Sequence, residues 1–236
     1  MTYSKNRDDL VRQFIAYAND DGIKIIVHGF AYNDMTPRSI TVKKKADYAV
    51  KQKWNLRNIV NKPLDELAKS ISEYVFRYPK FTCQMDFDDW HKKIGEAFVK
   101  SFNKCIKQYH DAEGKRIYKD IGFGKAQKII NMTFKYLFCC PDVSANVDLD
   151  KFSFCHMALD KFTYNEGFYK KAVHSFKKYK GVIKSWSNLS FDEYALIQKD
   201  IRDYLSSSDN MKYKDPTSNA LNAFEAEFYV WDEYHS

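Results

Sequence analysis

A glycine-led segment that carries two lysines is the first feature whose residue types could do chemistry. It reads Gly122-Phe123-Gly124-Lys125-Ala126-Gln127-Lys128 and runs into an apolar stretch that predicts a helix. The N-terminus of a helix binds anions because its first N–H groups lack intrahelical partners and its dipole is positive there, so Gly122, Gly124 and Lys125 are candidate phosphate ligands. Two glycines before a helix are also ordinary helix punctuation. The segment is not a Walker loop, because Gly124-Lys125 is followed by Ala126 instead of Ser or Thr.

A second candidate motif follows beyond a predicted loop at residues 141–153. It reads Cys155-His156-Met157-Ala158-Leu159-Asp160, a short apolar stretch that ends in an aspartate. Together the two segments, which span about forty residues, resemble helix-hairpin-helix DNA glycosylases of the 8-oxoguanine DNA glycosylase type. In that family the hairpin reads Gly-x-Gly-x-Lys, and the second motif places an aspartate after a short apolar pair. Residues 124–128 align with the first motif without a gap, with Ala126 in place of its second glycine, and residues 158–160 align with the second.

The resemblance implies a helical fold, DNA as the partner, and excision of a damaged or modified base. It also implies that Lys128 is the nucleophile and Asp160 the catalytic aspartate. Such chemistry is physically coherent, because a buried lysine loses its proton more readily and its neutral amine can attack the sugar of a flipped nucleotide. The competing interpretation is that Lys128 lies on a solvent edge of its helix and Asp160 caps the next helix. The sequence leaves open whether the protein is an enzyme.

Charge is segregated along the chain. The formal net charge of +7 divides into +3 for residues 1–90, +10 for residues 91–184 and −6 for residues 185–236. A basic centre beside an acidic end is typical of proteins that bind nucleic acid or another acidic surface. A solvated lysine-rich face explains the same numbers without a ligand.

Residues 161–184 concentrate the positive charge, with seven lysines and one acidic residue interleaved with aromatic side chains. Lysines can contact phosphates while aromatic rings stack on bases, whereas an amphipathic helix with its lysines in water accounts for the pattern equally well. Lysine outnumbers arginine, which leaves room for an alternative function, a non-enzymatic regulatory or mobile-element protein whose basic face binds an acidic protein surface. The candidate nucleic-acid ligands in this segment are Lys170, Lys171, Lys177 and Lys178.

The cysteines and the hydropathy argue against several other classes of protein. Five cysteines without a Cys-x-x-Cys spacing predict reduced thiols in a cytoplasmic protein. Cys139, Cys140, Cys155 and His156 could meet around zinc, but adjacent cysteines point in different directions on a helix, so we predict neither a metal nor a cofactor. No run approaches the roughly 18 apolar residues of a membrane helix, and we predict no membrane contact.

The elements that must position these residues are predicted to be helices. With only eight glycines and five prolines, the sequence favours a mainly α fold, in which residues 1–236 form a single domain of about eight helices. Residues 1–80 could form an N-terminal subdomain, followed by the basic centre at 91–184 and the acidic region at 185–236. The β-branched stretches at residues 23–30 and 39–42 predict a small hairpin near residues 23–45.

Overall fold

Helices make up nearly all of the regular structure in the described part of the chain. A computed structural model describes residues 20–42, 56–140, 143, 146–177, 183–210, 212–214 and 219–235. Within these ranges no strand forms, and extended pairing is confined to isolated bridges such as that between Thr41 and Tyr118. The prediction of a mainly α, single-domain fold is confirmed.

The α-helices alternate with short π-helical and 3₁₀ turns. The α-helices are α1 (Asp20–Ile25), α2 (Tyr32–Asp34), α3 (Leu56–Ile59), α4 (Asn61–Ser72), α5 (Gln84–Ile106), α6 (Phe123–Phe138), α7 (His174–Phe176), α8 (Phe191–Leu205) and α9 (Ala223–His235). The π-helical turns are Ile26–Ala31, Glu73–Arg77, Lys161–Asn165 and Tyr169–Val173. The 3₁₀ turns are Pro37–Ile40, Leu149–Phe152 and Trp186–Asn188.

The predicted N-terminal hairpin is wrong for the residues that the structure describes. Residues 23–30 are helical, and residues 37–40 form a 3₁₀ turn. The reason is the spacing of the apolar side chains: Ile23, Ile26 and Val27 are fully buried at intervals of three and four residues, the period of a helix. This period outweighs the β-propensity of the branched side chains. Residues 43–45 of the prediction lie outside the described residues.

Helix α6 lies at the centre of the fold, between two groups of buried apolar side chains. Long helix α5 packs one buried face against it, and α8, the Ile26–Ala31 turn and the Trp186–Asn188 turn pack around the rest. Nearly every residue of α6 is therefore buried, as the apolar character of the segment on most sides predicts. Any polar side chain on this helix needs a partner inside the protein.

The loop before α8 closes the N-terminus of α6. Gly124 donates its N–H to the carbonyl oxygen of Leu189 at 3.1 Å. A Cβ atom at position 124 would overlap the carbonyl oxygen of Trp186, so the close approach of these two segments requires glycine. Gly124 thus permits tight packing where the sequence suggested an open phosphate site.

None of the helices within the described ranges combines the length and the apolar character that crossing a membrane demands.

Candidate active site

Lys128 and Asp160 form an ion pair in the interior of the protein. The Nζ atom of Lys128, in the second turn of α6, lies 2.7 Å from Oδ2 of Asp160. The two side chains are only 7% and 15% exposed, respectively. The structure therefore brings together the two residues that the resemblance implied would share a site. Lys128 does not lie on a solvent edge of its helix.

Asp160 has a second role, which the competing interpretation anticipated. Its Oδ1 atom accepts hydrogen bonds from the N–H groups of Phe162 and Thr163, both at 2.8 Å, and from Oγ1 of Thr163 at 3.1 Å. This is a capping box at the start of the Lys161–Asn165 turn. One carboxylate oxygen caps the turn, and the other faces Lys128.

The ion pair shifts the pKa of both partners in favour of the charged forms. Burial by itself would raise the pKa of Asp160, but Lys128 and the bonds from Thr163 outweigh it, and the pKa lies below its usual value. Burial would likewise lower the pKa of Lys128, but Asp160, Glu227 and Asp34 together raise it. Lys128 is therefore protonated in the resting protein, and any reaction of its amine requires removal of a proton.

The pair lines a cavity of about 310 Å³. Its walls combine flat aromatic rings with charged groups from five parts of the chain. The aromatic members are Tyr136, Phe162, Trp186 and Trp231, and the charged members are Asp34, Lys128, Lys135, Asp160 and Lys161. A concave, half-open space that combines apolar rings with a few charged groups is the usual form of a small-molecule site.

Asp34 is a cavity residue that the sequence analysis missed. It ends the short helix α2, and its Oδ2 atom accepts a hydrogen bond from the hydroxyl of Tyr136 at 2.7 Å. Burial raises its pKa, although Tyr136, Lys128 and Lys135 act in the opposite direction. No motif surrounds Asp34 in the sequence, since it lies more than ninety residues before Lys128 and enters the site only through packing.

The side chain of Lys125 points into the protein and is only 6% exposed. Its Nζ atom donates to the carbonyl oxygen of Met35 at 2.6 Å, to Oγ1 of Thr36 at 2.7 Å and to Oγ of Ser39 at 2.8 Å. It also lies 4.9 Å from the ring centre of Trp186. Burial without a carboxylate partner lowers its pKa to about 8. Lys125 therefore holds the turn after α2 and one aromatic wall of the cavity, a structural role that the sequence did not suggest.

Buried side chains form hydrogen bonds with the backbone of residues 155–160. In a sheet, a neighbouring strand would supply such bonds. Gln127 mimics a backbone partner: its Nε2 atom donates to the carbonyl oxygen of Leu159 at 2.8 Å, and its Oε1 atom accepts from the N–H of Leu159 at 3.1 Å. Gln198 donates to the carbonyl oxygen of Met157 at 2.7 Å. Gln127 precedes Lys128 and Leu159 precedes Asp160, so this contact sets the register of the ion pair.

A second ion pair lies further along α6. Nζ of Lys135 lies 3.1 Å from Oε1 of Glu227, and both side chains are 1% exposed. The other carboxylate oxygen of Glu227 accepts the N–H of Ala158 at 2.7 Å. Lys135 also lies 5.0 Å from the ring centre of Phe228. This pair anchors α9 to both α6 and the segment that carries Asp160.

The predicted nucleic-acid ligands of the basic segment have different surroundings. Lys170 and Lys171 are exposed, whereas Lys178 lies outside the described residues. Lys177 pairs with Asp200 at 3.2 Å and Asp203 at 2.6 Å. The acidic C-terminal region thus neutralises part of the basic centre. Gly122 takes an extended conformation as the residue before α6.

The cysteine and histidine candidates do not form a metal site. Cys139, Cys140 and Cys155 are buried, and the two ring nitrogens of His156 lie 2.6 Å from Asp88 and 2.8 Å from the hydroxyl of Tyr194. In the described ranges, no group of three or more His, Cys, Asp or Glu side chains is placed to hold a metal ion.

Comparisons with protein-family models, with curated proteins and with solved structures found no match to this chain.

Proposed function

We propose that the protein is a DNA glycosylase that removes a base from a flipped nucleotide with Lys128 as its nucleophile. One observation carries the proposal: a buried lysine–aspartate pair opens into a cavity with aromatic walls. The arrangement places a nucleophile, a fixed negative charge and stacking surfaces around one half-open cavity. These are the groups that base excision through a covalent intermediate requires.

The cavity has the properties expected of a nucleobase pocket. Its volume of about 310 Å³ is at the lower end of the range for small-molecule sites, roughly 300–1,000 Å³. Trp186 and Trp231 lie among its lining residues, and aromatic rings stack on the π face of any base. A flipped base would thus replace its stacking energy in the duplex with contacts in the pocket.

The charged pair supplies the chemistry. As the glycosidic bond breaks, positive charge develops on the sugar, and the ionised carboxylate of Asp160 stabilises it. The neutral amine of Lys128 then attacks C1′ and forms a covalent enzyme–sugar intermediate. The short distance of 2.7 Å between Nζ and Oδ2 keeps both groups at the same point of the cavity.

Positive groups near the cavity support a nucleic-acid substrate. Lys161 lines the cavity and is 60% exposed, and Lys170 and Lys171 are exposed further along the same segment. Exposed lysines of this kind bind phosphates electrostatically and without sequence preference.

Two measurements test the proposal. In the first, binding of the protein to a fluorescent DNA duplex is titrated at increasing salt concentration, and we expect a steep fall in affinity because counterions compete with the lysines. In the second, the protein is mixed with duplex DNA that contains an abasic site, and borohydride is added to reduce any Schiff base. The wild-type protein should form a covalent complex and Lys128→Gln should not.

Two outcomes would contradict the proposal. The first is an absence of DNA binding at low salt, which would instead favour an acidic protein surface as the partner of the basic residues. The second is cross-linking of Lys128→Gln at the wild-type level. Lys100→Gln, which removes an exposed lysine from α5, serves as the matched control and should cross-link normally.

A further inference from the structure

Two carboxylates line the cavity, and their surroundings differ sharply. Asp160 and Asp34 each influence the pKa of Lys128, so both lie within electrostatic range of the amine. When two carboxyl groups in one site have environments that separate their proton affinities, they can take different parts in acid–base chemistry. The hydrogen bonds of each group show which part it can take.

Both carboxylate oxygens of Asp160 have hydrogen-bond donors. Its Oδ1 atom accepts three hydrogen bonds from Phe162 and Thr163, and its Oδ2 atom contacts the ammonium group of Lys128. A carboxylate that accepts several hydrogen bonds and faces a cation strongly favours its ionised form. Asp160 is thus suited to stabilise positive charge and unsuited to donate a proton.

Asp34 has a much poorer set of partners. Among the residues that the structure describes, the hydroxyl of Tyr136 is its hydrogen-bond partner, and that bond goes to Oδ2 alone. Its Oδ1 atom receives no such bond within those same ranges. Burial disfavours the charged form of the group and raises its pKa. Asp34 can therefore hold a proton on Oδ1 beside the base pocket.

We propose that Asp34 is the general acid that protonates the leaving base, while Asp160 stays ionised and stabilises the sugar cation. This inference rests on the proposed glycosylase function, which it extends by a further catalytic residue. It assigns separate tasks to two carboxylates, of which the sequence motifs identified only Asp160.

The proton and the electrons balance over the cycle. The bond between C1′ and the base breaks, its electron pair goes to the base nitrogen system, and the base takes the proton from Oδ1 of Asp34. The ammonium group of Lys128 releases a proton to solvent, the Asp34 carboxylate takes up a proton from solvent, and the neutral amine of Lys128 forms a bond to C1′. Transfer of a further amine proton to the ring oxygen O4′ breaks the C1′–O4′ bond and leaves a protonated Schiff base. Asp34 ends the cycle protonated, as it began.

The test uses the fact that only some bases need a proton in order to leave. A DNA duplex that contains 7-methylguanine carries a cationic base, which departs as a neutral molecule without an acid. Duplexes with hypoxanthine, uracil or 8-oxoguanine carry neutral bases that depart as anions unless they are protonated. We would measure the rate of base release from all four duplexes and borohydride trapping on abasic DNA, with the wild-type protein, Asp34→Asn and the exposed control Asp89→Asn.

Among the neutral bases, we would compare release of the one that the wild-type protein removes fastest. Asp34→Asn should release that base more slowly by about 10²-fold or more, the usual contribution of a general acid. It should leave the release of 7-methylguanine and the trapping of abasic DNA close to wild-type values. Asparagine has the shape of aspartate and can still accept the bond from Tyr136, so folding should be retained. Tyr136→Phe removes the hydrogen bond to Asp34 Oδ2 that the described residues provide. It should slow neutral bases by a smaller factor, because the carboxylate left after proton transfer loses one stabilising bond.

Each remaining outcome contradicts a particular claim. Equal slowing of neutral and cationic bases in Asp34→Asn would show a structural role and overturn the assignment. An unchanged rate for neutral bases would overturn it too, as would a wild-type protein that traps abasic DNA but releases no base from any duplex. If the wild-type protein fails even to trap abasic DNA, the proposed function itself is wrong.

Discussion

Helix α6 carries two buried lysine–carboxylate pairs that lie two turns apart on one face, and their differences separate structure from chemistry. Lys135 and Glu227 are both 1% exposed, whereas Lys128 and Asp160 are 7% and 15% exposed. The second carboxylate oxygen of Glu227 accepts a hydrogen bond from a backbone N–H, and this contact holds the fold together. Both carboxylate oxygens of Glu227 are thus engaged inside the fold, whereas the more exposed Lys128–Asp160 pair can be reached from the cavity.

The comparison shows that burial and pairing alone do not identify a catalytic lysine. Both lysines border the same cavity and both have a carboxylate within 3.1 Å. What distinguishes Lys128 is the access that its pair retains, since Lys128 and Asp160 are 7% and 15% exposed whereas Lys135 and Glu227 are each 1% exposed.

Loss of the fully buried pair of Lys135 and Glu227 should have the largest effect on stability. Glu227→Gln leaves the ammonium group of Lys135 buried without a counter-charge, and breaking a buried pair from one side typically costs about 3–5 kcal/mol. The free energy of unfolding, measured by urea denaturation, should fall by about that amount. Glu96→Gln, at an exposed position of α5, should change it by less than about 0.5 kcal/mol. A Glu227→Gln variant as stable as this control would contradict the structural role of the pair.

Removal of the Gln127 side chain should have the next largest effect. Gln127→Ala leaves the N–H and the carbonyl group of Leu159 buried without their partners, at a cost of about 1–3 kcal/mol for each unsatisfied group. Because the same contact fixes the register of Lys128 against Asp160, borohydride trapping should fall as well. Normal trapping in a destabilised variant would show that Asp160 is positioned by other contacts.

The more exposed pair of Lys128 and Asp160 should make stability depend on pH in the acid range. The pKa of Asp160 is lowered in the folded protein, so its ionisation stabilises the fold above the unfolded pKa of about 3.9, and this contribution is lost as the pH falls toward the folded pKa. The difference in unfolding free energy between wild-type protein and Asp160→Asn should therefore be largest near neutral pH and shrink below about pH 4. A difference that stays constant down to pH 2 would mean that the carboxylate charge does not stabilise the fold.

An exposed pair should contribute least. Lys184 and Glu193 lie 2.5 Å apart, but their side chains are 59% and 39% exposed. Exposed pairs contribute about 0–1 kcal/mol because water and salt screen them. Lys184→Gln should therefore leave the urea midpoint nearly unchanged. A loss of unfolding free energy as large as that of Glu227→Gln would mean that exposed and buried pairs stabilise the fold equally.

The sequence predicted the helices much better than the partners of their polar residues. Helix α6 and its burial follow from a run of apolar residues after Gly124, and the aspartate that pairs with Lys128 was found through its motif. The inward course of Lys125 could not be predicted, because its acceptors, the carbonyl oxygen of Met35 and the hydroxyls of Thr36 and Ser39, lie about ninety residues earlier. Asp34 was missed for the same reason. Local periodicity fixes helices, whereas a site assembled from distant segments depends on tertiary packing.

The lysine that forms the cross-link to DNA can be identified directly. The wild-type protein would be trapped on abasic duplex DNA with borohydride and digested, and the modified peptide would be sequenced by mass spectrometry. If Lys128 is the nucleophile, the sugar adduct will be on Lys128, and Lys135, two turns away, will be unmodified. An adduct on Lys135 or on an exposed lysine, or no adduct at all, would contradict it.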